Sequence, residues 1–261
     1  MADSGLTRRD FLRLAGVGAA AMAIPGSLMA AVEGAAKKPN VLVILADDLG
    51  YGELSCQGAK DIKTPNVDAI AKNGIRFTNG YVSCPVCSPT RAGLNTGRYQ
   101  EHFGHEFNPG PAATASTTFG LPLDQKTVAN YMKEQGYTTG IVGKWHLGYE
   151  PQYHPQKRGF DEFFGFLGGA HSYIDAKADK TNMVYRGTEQ VDEKEYLTTA
   201  FGREAASFIE RHKEKPFYLY LAFNAVHAPL QSPAGSEDWF KEVTDPKRRT
   251  FLTMQKAMDD A

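Results

Sequence analysis

Three short apolar runs, at 40–45, 137–142 and 217–223, each end abruptly in a polar cluster. This arrangement limits the folds open to the chain more than any other feature of the sequence. The run from Asn40 to Leu45 is continuous and rich in β-branched residues rather than alternating. That pattern predicts a strand buried on both faces, as in a parallel sheet. Tyr137–Val142 reads as the strand after a helix, Phe217–Phe223 as a strongly apolar strand, and Ile75–Val82 as a further strand. Helical patterns lie between them. Thr64-Pro65-Asn66 opens one helix, with Val67, Ile70 and Ala71 on one face and Gly74 as its stop. Others are expected over 124–134, ending near Gly136, over Leu197–His212, and from about Pro246 onward. Strands alternating with helices predict an α/β architecture with a largely parallel central sheet flanked by helices. Segment 101–122, which carries Pro, Gly and Thr, is expected to be a surface loop. Met183–Val191, centred on Arg186-Gly187, is expected to form a small hairpin. No internal repeat is present.

Composition excludes some functions. The chain has 261 residues, 42% of them hydrophobic, which supports a sizeable core. A formal net charge of -1 with no polybasic block argues against nucleic acid as a partner. Three cysteines, Cys56, Cys84 and Cys87, are too few for a disulfide framework. The N-terminus is more specific. Thr7-Arg8-Arg9-Asp10-Phe11-Leu12 precedes an Ala- and Gly-rich apolar stretch that Pro25 and Gly26 interrupt. Residues 1–36 therefore resemble a twin-arginine export signal rather than a spanning anchor. This implies the twin-arginine export machinery as a partner, cleavage between Ala30 and Ala36, and a periplasmic or extracellular destination for residues 37–261.

Three strand ends carry the chemistry. The first apolar run ends in Asp47-Asp48, the second in Gly143-Lys144-Trp145-His146, and the third in His227-Ala228-Pro229. In open α/β sheets ligands bind beyond the carboxyl ends of the strands, so these groups are expected to converge on one edge. Singly, each has an ordinary reading: a capping turn for the aspartates, a solvated lysine, a structural histidine. Together they make a candidate site. Adjacent carboxylates suit a hard cation such as calcium or magnesium, whereas zinc draws on histidine or thiolate. Cys84 and Cys87 also form a C-x-x-C spacing, readable as a redox pair or half a zinc site. No second cysteine pair follows, and Pro85 and Pro89 oppose a thioredoxin-type turn.

The segment Cys87-Ser88-Pro89-Thr90-Arg91, followed by Thr96-Gly97-Arg98, is the sulfatase signature C-x-P-x-R with T-G-R. With the upstream Asp-Asp, Gly-Lys-Trp-His-Leu-Gly and His-Ala-Pro in the same order, the chain from about Pro39 onward resembles the formylglycine-dependent sulfatases. The resemblance implies an alkaline phosphatase-like fold and a sulfuric ester hydrolase acting on an aryl or carbohydrate sulfate. It also implies that a formylglycine-generating maturase oxidises Cys87. A serine attacking sulfur leaves a stable sulfate ester. A hydrated aldehyde keeps a second hydroxyl that expels sulfate by breaking a carbon–oxygen bond.

Further roles are implied residue by residue. Asp47 and Asp48 would bind calcium, with magnesium as the alternative, together with an oxygen of residue 87. Arg91 would hold the diol, and Lys144 and His146 would bind sulfate. His227 would lie on the leaving-group side, with Lys144 or His227 as acid for the departing alcohol. Two other readings are a phosphonate or phosphate monoester hydrolase of the same superfamily, and a non-catalytic or carbohydrate-binding fragment. Complete members of the family are longer. Their remaining metal ligands, an Asp-Asn pair and a nearby lysine, follow a helix that begins much like Phe251–Asp260, so the resemblance covers an N-terminal portion. His102, His105, His154, His171, Glu106 and Arg158 are expected to be surface or structural residues.

Overall fold

In the computed structural model, residues 38–111 and 114–261 are described, and the export signal expected over 1–36 lies outside them. The sheet follows from the apolar runs. Strands β1 (Val41–Leu45), β2 (Thr138–Lys144), β3 (Glu162–Phe166), β4 (Tyr185–Arg186), β5 (Glu189–Gln190) and β6 (Phe217–Ala222) stand in the order β1-β6-β2-β3-β4-β5. The first four positions in that order are parallel, and β4 and β5 add an antiparallel hairpin at one end. Every residue of β6 is buried, as a strand covered on both faces requires.

Helices complete the layers. They are α1 (Pro65–Asn73), α2 (Cys87–Thr96), α3 (Val128–Glu134), α4 (Leu197–His212) and α5 (Pro246–Asp260). One face of the sheet packs Leu219 and Leu221 against Phe201 and Phe208 of α4 and Met254 of α5. The other packs Tyr218 and Tyr220 with Trp145, Phe160 and Phe163. β1 is the open edge of the sheet, and its Leu42 and Ile44 are substantially exposed. Among the described residues, no helix is long and apolar enough to cross a membrane.

Several expectations fail. The run 40–45 forms β1 but is not buried on both faces, because it lies at the sheet edge with only β6 beside it. Ile75–Val82 forms no strand. Its apolar side chains find no sheet face, and Ile75, Phe77 and Tyr81 are 75–88% exposed. The remaining parallel strand is β3, which its leading Glu162 and internal Gly165 hide from an apolar-run reading. Gly165 pairs with Gly143 of β2 at φ 155° and 114°. A Cβ on Gly165 would lie 1.9 Å from the Gly143 carbonyl oxygen, so a side chain there would force β2 and β3 apart. The helix expected over 124–134 begins only at Val128. Thr127 caps it by accepting from the Asn130 N–H at 3.2 Å, while the Asn130 side chain accepts from the Thr127 N–H at 3.0 Å. Past a short 3-10 turn at Gln100–Phe103, the described residues up to 122 are irregular as expected, but the segment is not merely surface, because His105 and Leu121 are fully buried. The hairpin over 183–191 and the helix over 197–212 form as anticipated.

Candidate active site

β1, β6 and β2 are adjacent and parallel, so their carboxyl ends open on the same side of the sheet. Pairing continues past the strands. The Asp47 N–H donates to the Ala225 carbonyl and the Val226 N–H to that of Asp47, both at 2.8 Å, while His146 N–H reaches Leu167 O at 3.0 Å. Asp48 and His146 then adopt left-handed backbone, φ 57° and 58°. Such conformations are uncommon for residues with a Cβ and turn the chain sharply at the strand end. α2 brings Cys87 as its first residue, and Gly97, at φ 66°, closes the helix.

A buried charge cluster lies beneath these turns. The Lys144 Nζ donates to Asp47 Oδ2 at 2.6 Å, and Arg91 approaches Asp47 Oδ1 at 3.3 Å. Arg91 also donates to the Lys144 carbonyl at 3.0 Å and to the Tyr220 hydroxyl at 3.4 Å. Two cations thus share one buried carboxylate. Burial, with the Arg91 charge beside it, pushes the Lys144 ammonium down from its usual range, although Asp47 opposes this. Burial and then the Lys144 and Arg91 charges push His146 down to about 2, so its imidazole is neutral. Its ring lies over Gly169, where a Cβ would come within 2.6 Å of Cε1 and Nε2.

Cys87 and His227 form a second cluster at the rim. The Cys87 thiol is pushed down, chiefly by its hydrogen bond with His227 and against burial, and His227 is pushed up by the same bond. The His227 Nδ1 donates to the Ala228 carbonyl at 2.6 Å, which leaves Nε2 toward Cys87 and 3.7 Å from Asp48 Oδ2. One donor atom each from Asp47, Asp48 and Cys87 lie within 4.8 Å of one another. Oxygen ligands sit about 2.3–2.6 Å from calcium, so donors on one ion are at most about 5 Å apart. The three residues are therefore close enough together to hold one metal ion. They line a cavity of about 210 Å³ with Arg91 and Leu45.

Asp47, Asp48, Cys87, Arg91, Lys144, His146 and His227 are thus brought to one sheet edge. His154 packs edge-on against Phe163, and Arg158 donates to the carbonyls of Pro122 and Gln125, so both are structural. Sequence reasoning overlooked Ser88, Tyr220 and Asn224 around the site, and read His105 as surface or structural without its contact to Ser88. Tyr220 is hidden inside an apolar strand. Asn224 is 1% exposed, and neither polar atom of its side chain has a partner among the described residues.

The buried histidines set a pH dependence. His105, His146 and His154 are all pushed down by burial. Their unfolded forms protonate near pH 6.5, so below that pH the unfolded chain binds more protons and stability falls. The slope is at most about 1.4 kcal/mol per pH unit for each group. His227 acts in the opposite sense, because its raised value adds stability that is lost as pH rises. Three groups against one predict a lower urea midpoint at about pH 5.5 than at about pH 7.5. A flat or rising midpoint on acidification contradicts the assignment.

Comparison with known proteins bears on the family and the fold. The family model "Sulfatase" matches residues 39–261. Human N-acetylgalactosamine-6-sulfatase is 39% identical over 214 residues, covering 76% of this chain and 41% of that protein. The chain thus spans about two fifths of such a relative's length. The crystal structure of Ps i-CgsB superimposes with a TM-score of 0.80 at 40% identity, covering 86% of this chain and 53% of that one; it is also known in complex with k-i-k-neocarrahexaose. BT4656, solved with its substrate D-glucosamine-2-N,6-O-disulfate, gives 0.61 at 31% identity over 76% of this chain and 36% of that one. With a family match running from residue 39 to the last residue and a fold shared with solved sulfatases, the chain belongs to the sulfatase family.

Proposed function

We propose that the chain is the nucleophile-bearing part of an exported sulfuric ester hydrolase that releases sulfate from a sulfated carbohydrate. Residue 87 acts there as formylglycine, beside a calcium ion held by Asp47 and Asp48. The observation that carries this reading is the convergence of Cys87 and both aspartates beside the buried Lys144–Asp47–Arg91 cluster. The carbohydrate class rests on the ligands of Ps i-CgsB and BT4656. Export and the maturase rest on the twin-arginine pattern and on the sequence around Cys87.

Each residue has a distinct task. When bound, the cation acidifies the nucleophilic hydroxyl and neutralises charge on the sulfuryl oxygens. Formylglycine supplies a hydrated aldehyde whose second hydroxyl releases the sulfate. Lys144 and Arg91 give the pocket an excess of buried positive charge, which favours an anionic ester and its more strongly charged transition state. His146, kept neutral, offers a hydrogen bond without adding to that charge. His227, with Nδ1 on the Ala228 carbonyl and Nε2 facing residue 87, is placed to hand a proton to the departing alcohol oxygen.

Removing divalent cations with a chelator should depress sulfate release, and added calcium should restore it. Undiminished release in chelator, with no ion bound, would contradict the metal assignment. The pocket's cations attract phosphonate and phosphate esters too, so rates are compared on matched sulfate and phosphonate esters. Faster phosphonate cleavage would move the chain to that second reading.

A further inference from the structure

The hydroxyl of Ser88 lies 2.7 Å from His105 Nε2 and 2.6 Å from the carbonyl oxygen of His146. All three residues are buried. The serine has one proton and two close partners, so the protons can be counted. A carbonyl oxygen only accepts, so the Ser88 O–H must point at His146; otherwise two oxygens would face each other at 2.6 Å with no proton between them. His105 Nε2 must then be the donor to Ser88. The other nitrogen, Nδ1, lies 3.2 Å from the Gly120 carbonyl, which also only accepts; a neutral ring can serve one of these two carbonyl contacts, and the 2.6 Å Ser88–His146 contact is the shorter and costlier to leave without a proton. Phe119 stacks on the ring at 5.0 Å and fixes its plane.

We propose that His105 is a positioning residue. As the Nε2–H tautomer it donates to Ser88, which donates to His146 and holds that residue in its left-handed turn. The same loop braces the nucleophile's helix, because Asn108 Oδ1 accepts from the Ser88 N–H at 3.0 Å. One loop thereby sets the relative placement of residue 87 and the His146 imidazole. Ordering of this kind is a recurrent task of groups one layer behind a catalytic set.

Long-range proton–nitrogen NMR of the histidine rings in this chain tests the tautomer without any need for activity. The expected result is a protonated Nε2 and a bare Nδ1 for His105. In Ser88→Ala the ring signals of His146 should shift while those of His154 and His171 stay in place, and Ser88→Thr, which keeps the hydroxyl, should preserve them. His105→Phe, which removes the donor at similar bulk, should also move His146 and serves if Ser88→Ala does not fold. A protonated Nδ1 on His105, or unmoved His146 signals in the variants, would overturn the proposal.

The kinetic arm rests on the sulfatase reading. In maturase-treated protein, Ser88→Ala and His105→Phe should lower kcat by about tenfold to a hundredfold with KM little changed, and Ser88→Thr should recover most of the loss. An equal loss in Ser88→Thr, or a change confined to KM, would count against positioning. If the parent releases no sulfate, the sulfatase reading fails while the NMR result still decides the role of His105.

Discussion

Replacing Cys87 with serine should stop turnover after the first transfer and leave residue 87 heavier by one sulfuryl group. Serine can attack the sulfur, but it carries no second hydroxyl, so the sulfate ester it forms has no internal route to release. Cys87→Ala should show neither turnover nor the added mass. Loss of a nucleophile commonly lowers rates by about four to six orders of magnitude, and a deficit of that size is expected in steady-state sulfate release from either variant. The fold should survive. Cys87 is only partly buried at the start of α2, and thiol-to-hydroxyl replacement there should change stability by less than about 1 kcal/mol. Intact-protein mass after incubation with substrate checks the trapped ester, and circular dichroism checks the fold. Full turnover by Cys87→Ser would show that an ordinary hydroxyl suffices.

Asp47→Asn should be strongly destabilising, and Asp48→Asn should be nearly silent without the ion. Asp47 is the carboxylate to which both Lys144 and Arg91 turn, and all three side chains are buried. Without its charge, two cations face each other away from water. Breaking a buried pair by removing one partner costs about 3–5 kcal/mol. For a domain of this size that lowers Tm by roughly 10 °C. Asp48 has a largely exposed side chain, and its one ionic neighbour among the described residues is His227 at 3.7 Å. Its loss should cost less than about 1 kcal/mol. Both variants should bind calcium more weakly. Thermal melts in chelator and in calcium separate the two effects: a shift for Asp47→Asn appears in both, and one for Asp48→Asn appears only with the ion. Equal melts of the two variants in chelator would contradict the buried-cluster account.

The sequence made part of this architecture legible for identifiable reasons. β6 stands out because covering both faces leaves an unbroken apolar run, and β1 because it is β-branched and apolar although it forms the open edge, while β2 is read from the short apolar stretch before Gly143-Lys144. The order in which polar residues follow them is enough to place Asp47, Lys144 and His227 on one edge. β3 was concealed because Gly165 is selected by backbone contact with Gly143, not by apolarity. Ile75–Val82 misled for the opposite reason, since apolar content does not by itself supply a sheet neighbour. At the site, the motif gives Cys87 and Arg91 but not the distance that makes Asp47 their shared partner. Ser88 and His105 could not be found from residue type, because their contact joins a helix start to a loop seventeen positions on. A buried histidine and serine become informative only when the atoms between which a proton must be shared are known.

Mass analysis of the peptide containing residue 87, isolated after co-expression with a formylglycine-generating enzyme, bears most directly on the proposed chemistry. The expected peptide carries an aldehyde at that position, appears partly as its hydrate, and reacts with a hydrazide. A peptide recovered only with the unaltered thiol would contradict the proposed nucleophile and leave the edge formed by Asp47, Lys144 and His227 without its reacting group.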